Sequence, residues 1–428
     1  MMTFISRSRP DYIINGILVF AVLSFPITFL GELAALFQET YENMGTVYSP
    51  LLVKVLKDVV FVALILYLAI KTINRGNATR IKLFWLLVMA TVIIPIVAQP
   101  SLTFSLFGLR WMLPLILTAF IIDFVDRTLL ENVGKVVLFM YFLHFLTQLT
   151  EIVWMPPFFG TTILEITRAQ GLFSIANSGA MFTVFSLYFA MFYSAQGRLR
   201  SFVLLTAPLS LVFVASGTGI ILGIILYIFF WCWRTGSTRS SSVSGYFRVL
   251  IFFVLCFVPV VALVFLNEIT GRGDDYVEIS GGGRLFALLE SLSNASWLST
   301  VFGAATNTAV LAFNSGIVDD YGAFGSDSMF QSLVINLGLP LAFLFLMLPF
   351  ISIALRKSEF IPRMSFLFIV VGAYSVTQIV EIFPLNLLFS VLLAYFSSST
   401  KLIKPEKYGC SSFRRSAPIG DSRVLAGQ

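Results

Sequence analysis

SFVLLTAPLSLVFVASGTGIILGIILYIFFWCW (201–233) runs for 33 residues without a charged side chain. A bilayer core takes about 20 apolar residues per helix, with roughly 17 as the lower limit. The stretch is therefore too long for one crossing and barely long enough for two, turned at the small residues SGTG (216–219). A re-entrant hairpin of two short helices fits the same length. The rest of the chain has the same character. Hydrophobic residues make up 58% and charged residues 12%, with a mean hydropathy of +0.91. Soluble domains are about 45–50% apolar and about 25% charged, so an ordinary globular fold is excluded. Disorder, a disulfide scaffold and a coiled coil are excluded with it. A transmembrane barrel would show short alternating segments rather than long apolar runs.

Windows of about 19 residues predict an all-α polytopic membrane protein with about twelve transmembrane helices. Their cores are 13–30, 51–70, 83–99, 109–124, 136–155, 171–193, 201–216, 218–233, 249–267, 329–351, 364–382 and 384–399. The pair 364–399 is as tight as 201–233. Residues 1–403 form a single transmembrane bundle, with an outer loop, 269–328, inserted between spans nine and ten. Residues 404–428 read as a disordered cytoplasmic tail, and 234–248 as a flexible inner loop. The first segment is basic and then apolar, and is read as a retained anchor rather than a cleaved signal. Cys232 and Cys256 fall in spans and Cys410 in the tail, so no disulfide is expected.

The net charge of +6 and a pI near 9.2 point to basic cytoplasmic loops, not to nucleic acid. With the N-terminus inside, the inner segments hold Arg7, Arg9, Lys71, Arg75, Arg80, Lys82, Arg127, Lys135, Arg198, Arg200, Arg234, Arg239, Arg248, Arg356, Lys357 and Arg363. Lys401, Lys404, Lys407, Arg414, Arg415 and Arg423 join them in the tail, giving 22 of the 28 basic residues. That bias predicts a multi-pass protein with both termini cytoplasmic.

Six cations remain: Lys54, Lys57, Arg110, Arg168, Arg272 and Arg284. All lie at outer ends of spans or in outer loops. Lys54, Lys57 and Asp58 share one helix face through offsets of three and four. A cation at membrane depth needs a cavity or a partner. Pairing with Asp58, or snorkelling to lipid phosphates, would satisfy each of them singly. Several around one cavity suit a doubly charged lipid-borne anion, since arginine reads phosphate through its planar fork.

The outer loop opens with GRGDDYVEISGGGR (271–284). In RLFALLESLS (284–293), Leu285, Leu288, Leu289 and Leu292 mark a helical apolar stripe. It reads as an interfacial helix or as one packed on the bundle. Asp319 and Asp320 follow, and Asp327 stands at the mouth of the tenth span.

KVLKD (54–58), FGLR (107–110), RAQGLFSIANSGAMF (168–182), the GGGRLFALLES and VFGAATNT segments, and SDSMFQSLVINLGLPLAFLF (326–345) carry a likeness over most of the chain. The chain resembles the Wzy-type polymerase and O-antigen ligase superfamily, membrane glycosyltransferases acting on undecaprenyl-pyrophosphate-linked sugars. The resemblance implies a GT-C-like bundle in the bacterial inner membrane that builds O-antigen or exopolysaccharide at its outer face. It implies catalytic roles for Arg168, Arg284 and Asp327, with Lys54, Lys57, Arg110 and Arg272 holding pyrophosphate or glycan. The implied partners are the undecaprenyl-pyrophosphate-linked oligosaccharide, membrane lipid, a chain-length regulator and a flippase, with no nucleic acid. Ligases carry a histidine where this chain has Asp327 and Ser328, and an arginine in the turn that here reads SGTG. Both departures weigh towards polymerase.

The chemistry required is stabilisation of a leaving pyrophosphate, which fixed cations supply. Asp327, Glu290, Asp274 and Asp275 are alternative bases for the acceptor. His144, the only histidine, reads as a hydrogen-bonded packing residue about 12 Å from the inner end of its span. Glu151 and Glu381 lie nearer outer ends, lining the cavity or pairing with cations. No cofactor and no metal is expected, since no zinc spacing occurs and Asp274-Asp275 and Asp319-Asp320 read as solvated loop acids. No phosphate-binding glycine loop for nucleotides is present. A ligase is the runner-up function, and a lipid-linked oligosaccharide flippase the third.

Overall fold

The computed structural model describes residues 12–23, 51–75, 113–153, 161–163, 166–173, 176–194, 197–236, 359–376 and 383–398, with single residues between 329 and 347. In chain order these form α1 (Tyr12–Leu23), α2 (Leu51–Arg75), α3 (113–121), α4 (Arg127–Val153), β1 (Thr161–Ile163), β2 (Ile166–Arg168), α5 (Ala176–Phe192), α6 (Arg198–Val214), α7 (Gly217–Gly236), α8 (Phe360–Val376) and α9 (Leu385–Ser397). The protein is α-helical as predicted. Among the described residues the exception is the antiparallel β1–β2 hairpin, in which Thr161 pairs with Arg168 and Ile163 with Ile166. Among the described residues, α4 is long and apolar enough to cross a membrane. Predicted spans 83–99 and 249–267 lie outside the described residues, as do the outer loop 269–328 and the tail 404–428.

The uncharged stretch 201–233 is two helices, broken where the sequence placed the turn. Ala215 adopts the left-handed conformation and donates its N–H to Val212 O at 2.9 Å, closing the end of α6. α7 starts two residues later. Helix α4 starts at Arg127, nine residues before the predicted core at 136, because Asp126 Oδ1 caps the Leu129 N–H at 2.8 Å. Helix α5 starts at Ala176, five residues after the predicted 171.

α5 is the central strut and contacts α4, α6, α7, α8 and α9. Every residue from Ala180 to Ala190, three turns of helix, is fully buried, the pattern of a helix surrounded by protein. Lipid tails are as apolar as these side chains, so in a membrane the helices associate through close contacts, aromatic geometry and hydrogen bonds. Edge-to-face pairs supply part of that. Phe142 meets Phe202 at 5.3 Å between ring centres and Phe192 meets Trp233 at 5.4 Å.

One end of the bundle is tied by Glu359. Its Oε2 accepts from Tyr193 at 3.2 Å, its Oε1 accepts from Tyr395 at 3.3 Å, and Arg127 lies 3.6 Å away. Arg127 also pairs with Glu131 at 3.1 Å, but both side chains are about half exposed, at 54% and 42%. A pair that wet is worth less than about 1 kcal/mol, so the partly buried tyrosine contacts matter more. The start of α4, the end of α5, the start of α8 and the end of α9 therefore meet. These are the ends that the Lys/Arg bias assigned to one side.

Proline in α6 leaves a second signature. Pro208 has no N–H for the carbonyl four residues earlier, and that carbonyl belongs to Leu204. The Tyr227 hydroxyl of α7 donates to Leu204 O and replaces the lost bond. A carbonyl unanswered in an apolar bundle is costly. Tyr227→Phe is expected to destabilise the protein by about 1–2 kcal/mol. In a Pro208→Ala background the restored N–H should cut that loss to roughly a third or less. Thermal melting in detergent across the four-protein cycle measures this, and equal losses in both backgrounds would refute the exchange of partners.

Candidate functional site: a buried polar stripe beneath the Arg168 loop

Helix α4 carries Tyr141, His144, Gln148 and Glu151 at spacings of three, four and three, which places them on one face. The face is turned inward. His144 and Gln148 are 0% exposed and Glu151 3%. Helices α5 and α6 supply the complement. Ser210 donates to Gln148 Oε1 at 2.6 Å, so its single proton is committed and Thr183 must donate the 3.0 Å bond to Ser210. Thr206 gives its proton to Phe202 O at 2.8 Å, so Tyr141 donates the 3.1 Å bond to Thr206. These bonds join three helices, and apart from Thr206 and Phe202 the residues they link are buried.

The upper part of the stripe holds a loop. After β2 the chain runs Ala169-Gln170-Gly171-Leu172-Phe173, buried throughout. Its N–H groups are answered from outside the loop, as buried backbone donors must be. Ala169 donates to Phe213 O of α6 at 3.0 Å. Gly171 donates to Glu151 Oε2 at 3.0 Å, and Leu172 to His144 Nδ1 at 3.1 Å. An Nδ1 that accepts carries no proton, so His144 is neutral here, with any ring proton on Nε2. Phe173 and Phe182 stand edge-on to the imidazole, each 5.6 Å away between ring centres.

Two glycines permit this approach. Gly171 has φ +66, and a Cβ there would overlap the His144 ring. A Cβ at Gly179 would meet Gln170 O at 2.7 Å and His144 Cε1 at 3.2 Å. The backbone at Gly171 and at Gly179 thus comes up against His144 of α4 because both contact points lack a side chain.

Of the sequence-predicted site residues, Arg168 ends β2, one residue before this loop. Lys54 and Lys57 lie in the first two turns of α2. For these three the described part is the backbone. Arg110, Arg272, Arg284 and Asp327 lie outside the described residues, with Glu290, Glu381, Asp274, Asp275, Asp319 and Asp320. The position expected for His144 needs correction. With α4 starting at Arg127, His144 is 17 residues in, about 26 Å from that end and about 14 Å from Val153 at roughly 1.5 Å per residue. It lies towards the Arg168 end because the helix begins earlier than hydropathy placed it. Its expected character, hydrogen-bonded and packed, agrees with the structure.

Sequence reasoning named His144 and Glu151 singly and passed over Tyr141 and Gln148. The legible signal was the three-four-three polar spacing in an otherwise apolar helix. Neither a family model, nor a curated protein, nor a solved structure matches the chain.

The hydrogen-bond pattern ranks the serines. Ser210→Ala strips Gln148 Oε1 and Thr183 of partners and is expected to cost about 1 kcal/mol. Ser186, bonded only to its own helix at Phe182 O, 2.8 Å, should be near neutral as Ala. Melting temperatures of the two variants check the order, which would be wrong if Ser186→Ala proved the more damaging.

Proposed function

We propose that the protein is a polytopic inner-membrane glycosyltransferase of about twelve spans and GT-C-like architecture that polymerises undecaprenyl-pyrophosphate-linked oligosaccharide into O-antigen or exopolysaccharide. The observation that carries the reading is the set of six cations left on the minority side of the Lys/Arg count. The likeness of the surrounding motifs to Wzy-type polymerases supports it, as does a buried, hydrogen-bonded loop immediately after Arg168.

In the proposed reaction a hydroxyl oxygen of the acceptor sugar attacks the anomeric carbon of the donor glycan. The bond from that carbon to the pyrophosphate oxygen breaks, and undecaprenyl pyrophosphate leaves with the electron pair. Arg168 and Arg284 stabilise the leaving charge, where a water-poor site makes fixed cations most effective. Lys54, Lys57, Arg110 and Arg272 hold the pyrophosphate and flanking glycan. Asp327 takes the acceptor proton. The reaction needs no nucleotide and no metal.

The buried ionisable groups of α4 favour a flippase as the second reading, because transporters place such residues at membrane depth. Here His144 and Glu151 both accept bonds from one loop's backbone, which favours a fixed scaffold over a moving carrier site.

Purified protein given only the lipid-linked repeat should yield a ladder spaced by one repeat and release undecaprenyl pyrophosphate. Transfer that needs a separate acceptor would make it a ligase, and absence of transfer by an intact, lipid-binding protein would favour the flippase. Arg168→Ala and Arg284→Ala should each abolish the ladder with membrane insertion unchanged; normal chain length in either removes that residue from the site. Activity should survive EDTA, and loss restored by a divalent ion would place a metal at the loop acids.

A further inference from the structure

We propose that His144 and Glu151 are positioning residues. They hold the backbone of residues 169–172 through its own N–H groups and thereby set where Arg168 meets the pyrophosphate. The inference rests on the role given to Arg168 above and adds what fixes that arginine in place. Three anchors hold the loop within four residues of Arg168. Phe213 O takes the Ala169 N–H, Glu151 takes Gly171 and His144 takes Leu172.

Two of these anchors are side chains seven residues apart on α4, about two helical turns, so they fix the loop's height and its rotation together. Both accept from the loop's backbone N–H groups. Histidine acts here through a lone pair, so its proton chemistry is not what the site uses. Gly171 adds the steric half of the arrangement. Its left-handed backbone and bare Cα let the Gly171 and Leu172 N–H groups point at two different acceptors. The loop is therefore placed by main-chain geometry, and Arg168 is carried to its position by the strand end.

The requirement for an acceptor, as opposed to a filled space, separates positioning from packing. Asparagine at 144 puts Oδ1 near the position of Nδ1, whereas leucine fills the space without accepting. Glutamine at 151 keeps an oxygen for Gly171, whereas alanine does not. Loss of folded protein lowers Vmax and leaves KM alone. A displaced Arg168 raises KM for the lipid-linked repeat as well, because pyrophosphate is already charged before transfer.

The test uses full-length protein in nanodiscs. His144→Leu and Glu151→Ala are expected to speed hydrogen exchange of the 169–173 amides by about tenfold or more. They should also raise KM and lower kcat, together costing about a hundredfold in kcat/KM, the scale of a 1 Å misplacement. His144→Asn and Glu151→Gln should keep both quantities within about threefold of wild type. Open loops with unchanged KM and kcat would overturn the proposal, as would closed loops in the Leu and Ala variants. So would Asn and Gln variants no better than Leu and Ala. A wild-type ladder that survives Arg168→Ala removes Arg168 from the reaction and takes the proposal with it. If the wild type makes no ladder, polymerisation falls, and the same variants are then compared by titration with undecaprenyl pyrophosphate itself. Weaker binding by Leu and Ala but not by Asn and Gln supports positioning. No binding by the wild type overturns it.

Discussion

A backbone N–H or C=O buried among phenylalanines has only other protein atoms to bond with, and that constraint organises this bundle. Among the described residues, carbonyls and N–H groups at prolines and in the loop after β2 draw partners from other helices. Pro208 leaves Leu204 O unpaired, and Tyr227 reaches across from α7. Pro362 O at the start of α8 accepts from Tyr188 of α5 at 3.0 Å. Pro114 O accepts from Thr118 at 2.8 Å and from Ser390 of α9 at 2.7 Å. The loop after Arg168 is the longest of these departures, and His144, Glu151 and Phe213 answer it.

The same constraint explains why polar contacts rather than apolar bulk give the bundle its register. In lipid, one phenylalanine facing another gains little over facing an acyl chain. Thr183–Ser210–Gln148 and Tyr141–Thr206 can form only when α4, α5 and α6 sit at one mutual height. Aromatic pairs between helices such as Phe145–Phe213, stacked at 6.1 Å, tolerate sliding that a 2.6 Å hydrogen bond does not.

Helices were legible wherever an apolar run ended on a turn or a charge, as in 201–233. Their ends were less so. Hydropathy placed a span from 171 because Leu172 and Phe173 are as apolar as a helix interior, and no window senses that the Gly171 and Leu172 N–H groups bond to α4. It also trimmed α4 to 136 because Arg127 and Glu131 lower the local average, although Asp126 was a readable cap. The stripe at 141, 144, 148 and 151 was visible in spacing alone. Its pairing with Gly171 was not, since a glycine's need for empty space is a property of what it faces. The charge census singled out Arg168 without any structure, and the hydrogen bonds that hold the loop after it required one.

The Glu359 tie bears on the order in which the bundle is made. Tyr193 is 166 residues from Glu359, so at roughly 5–20 residues per second the ribosome adds the carboxylate about 8–30 s after the hydroxyl. Through that interval α4 and α5 are already in the chain while the group that joins them to α9 does not exist. Arg127 has a local partner from the outset in Glu131, one turn along. Glu359 follows just before α8, and Tyr395 of α9, 36 residues later still, completes that end of the bundle.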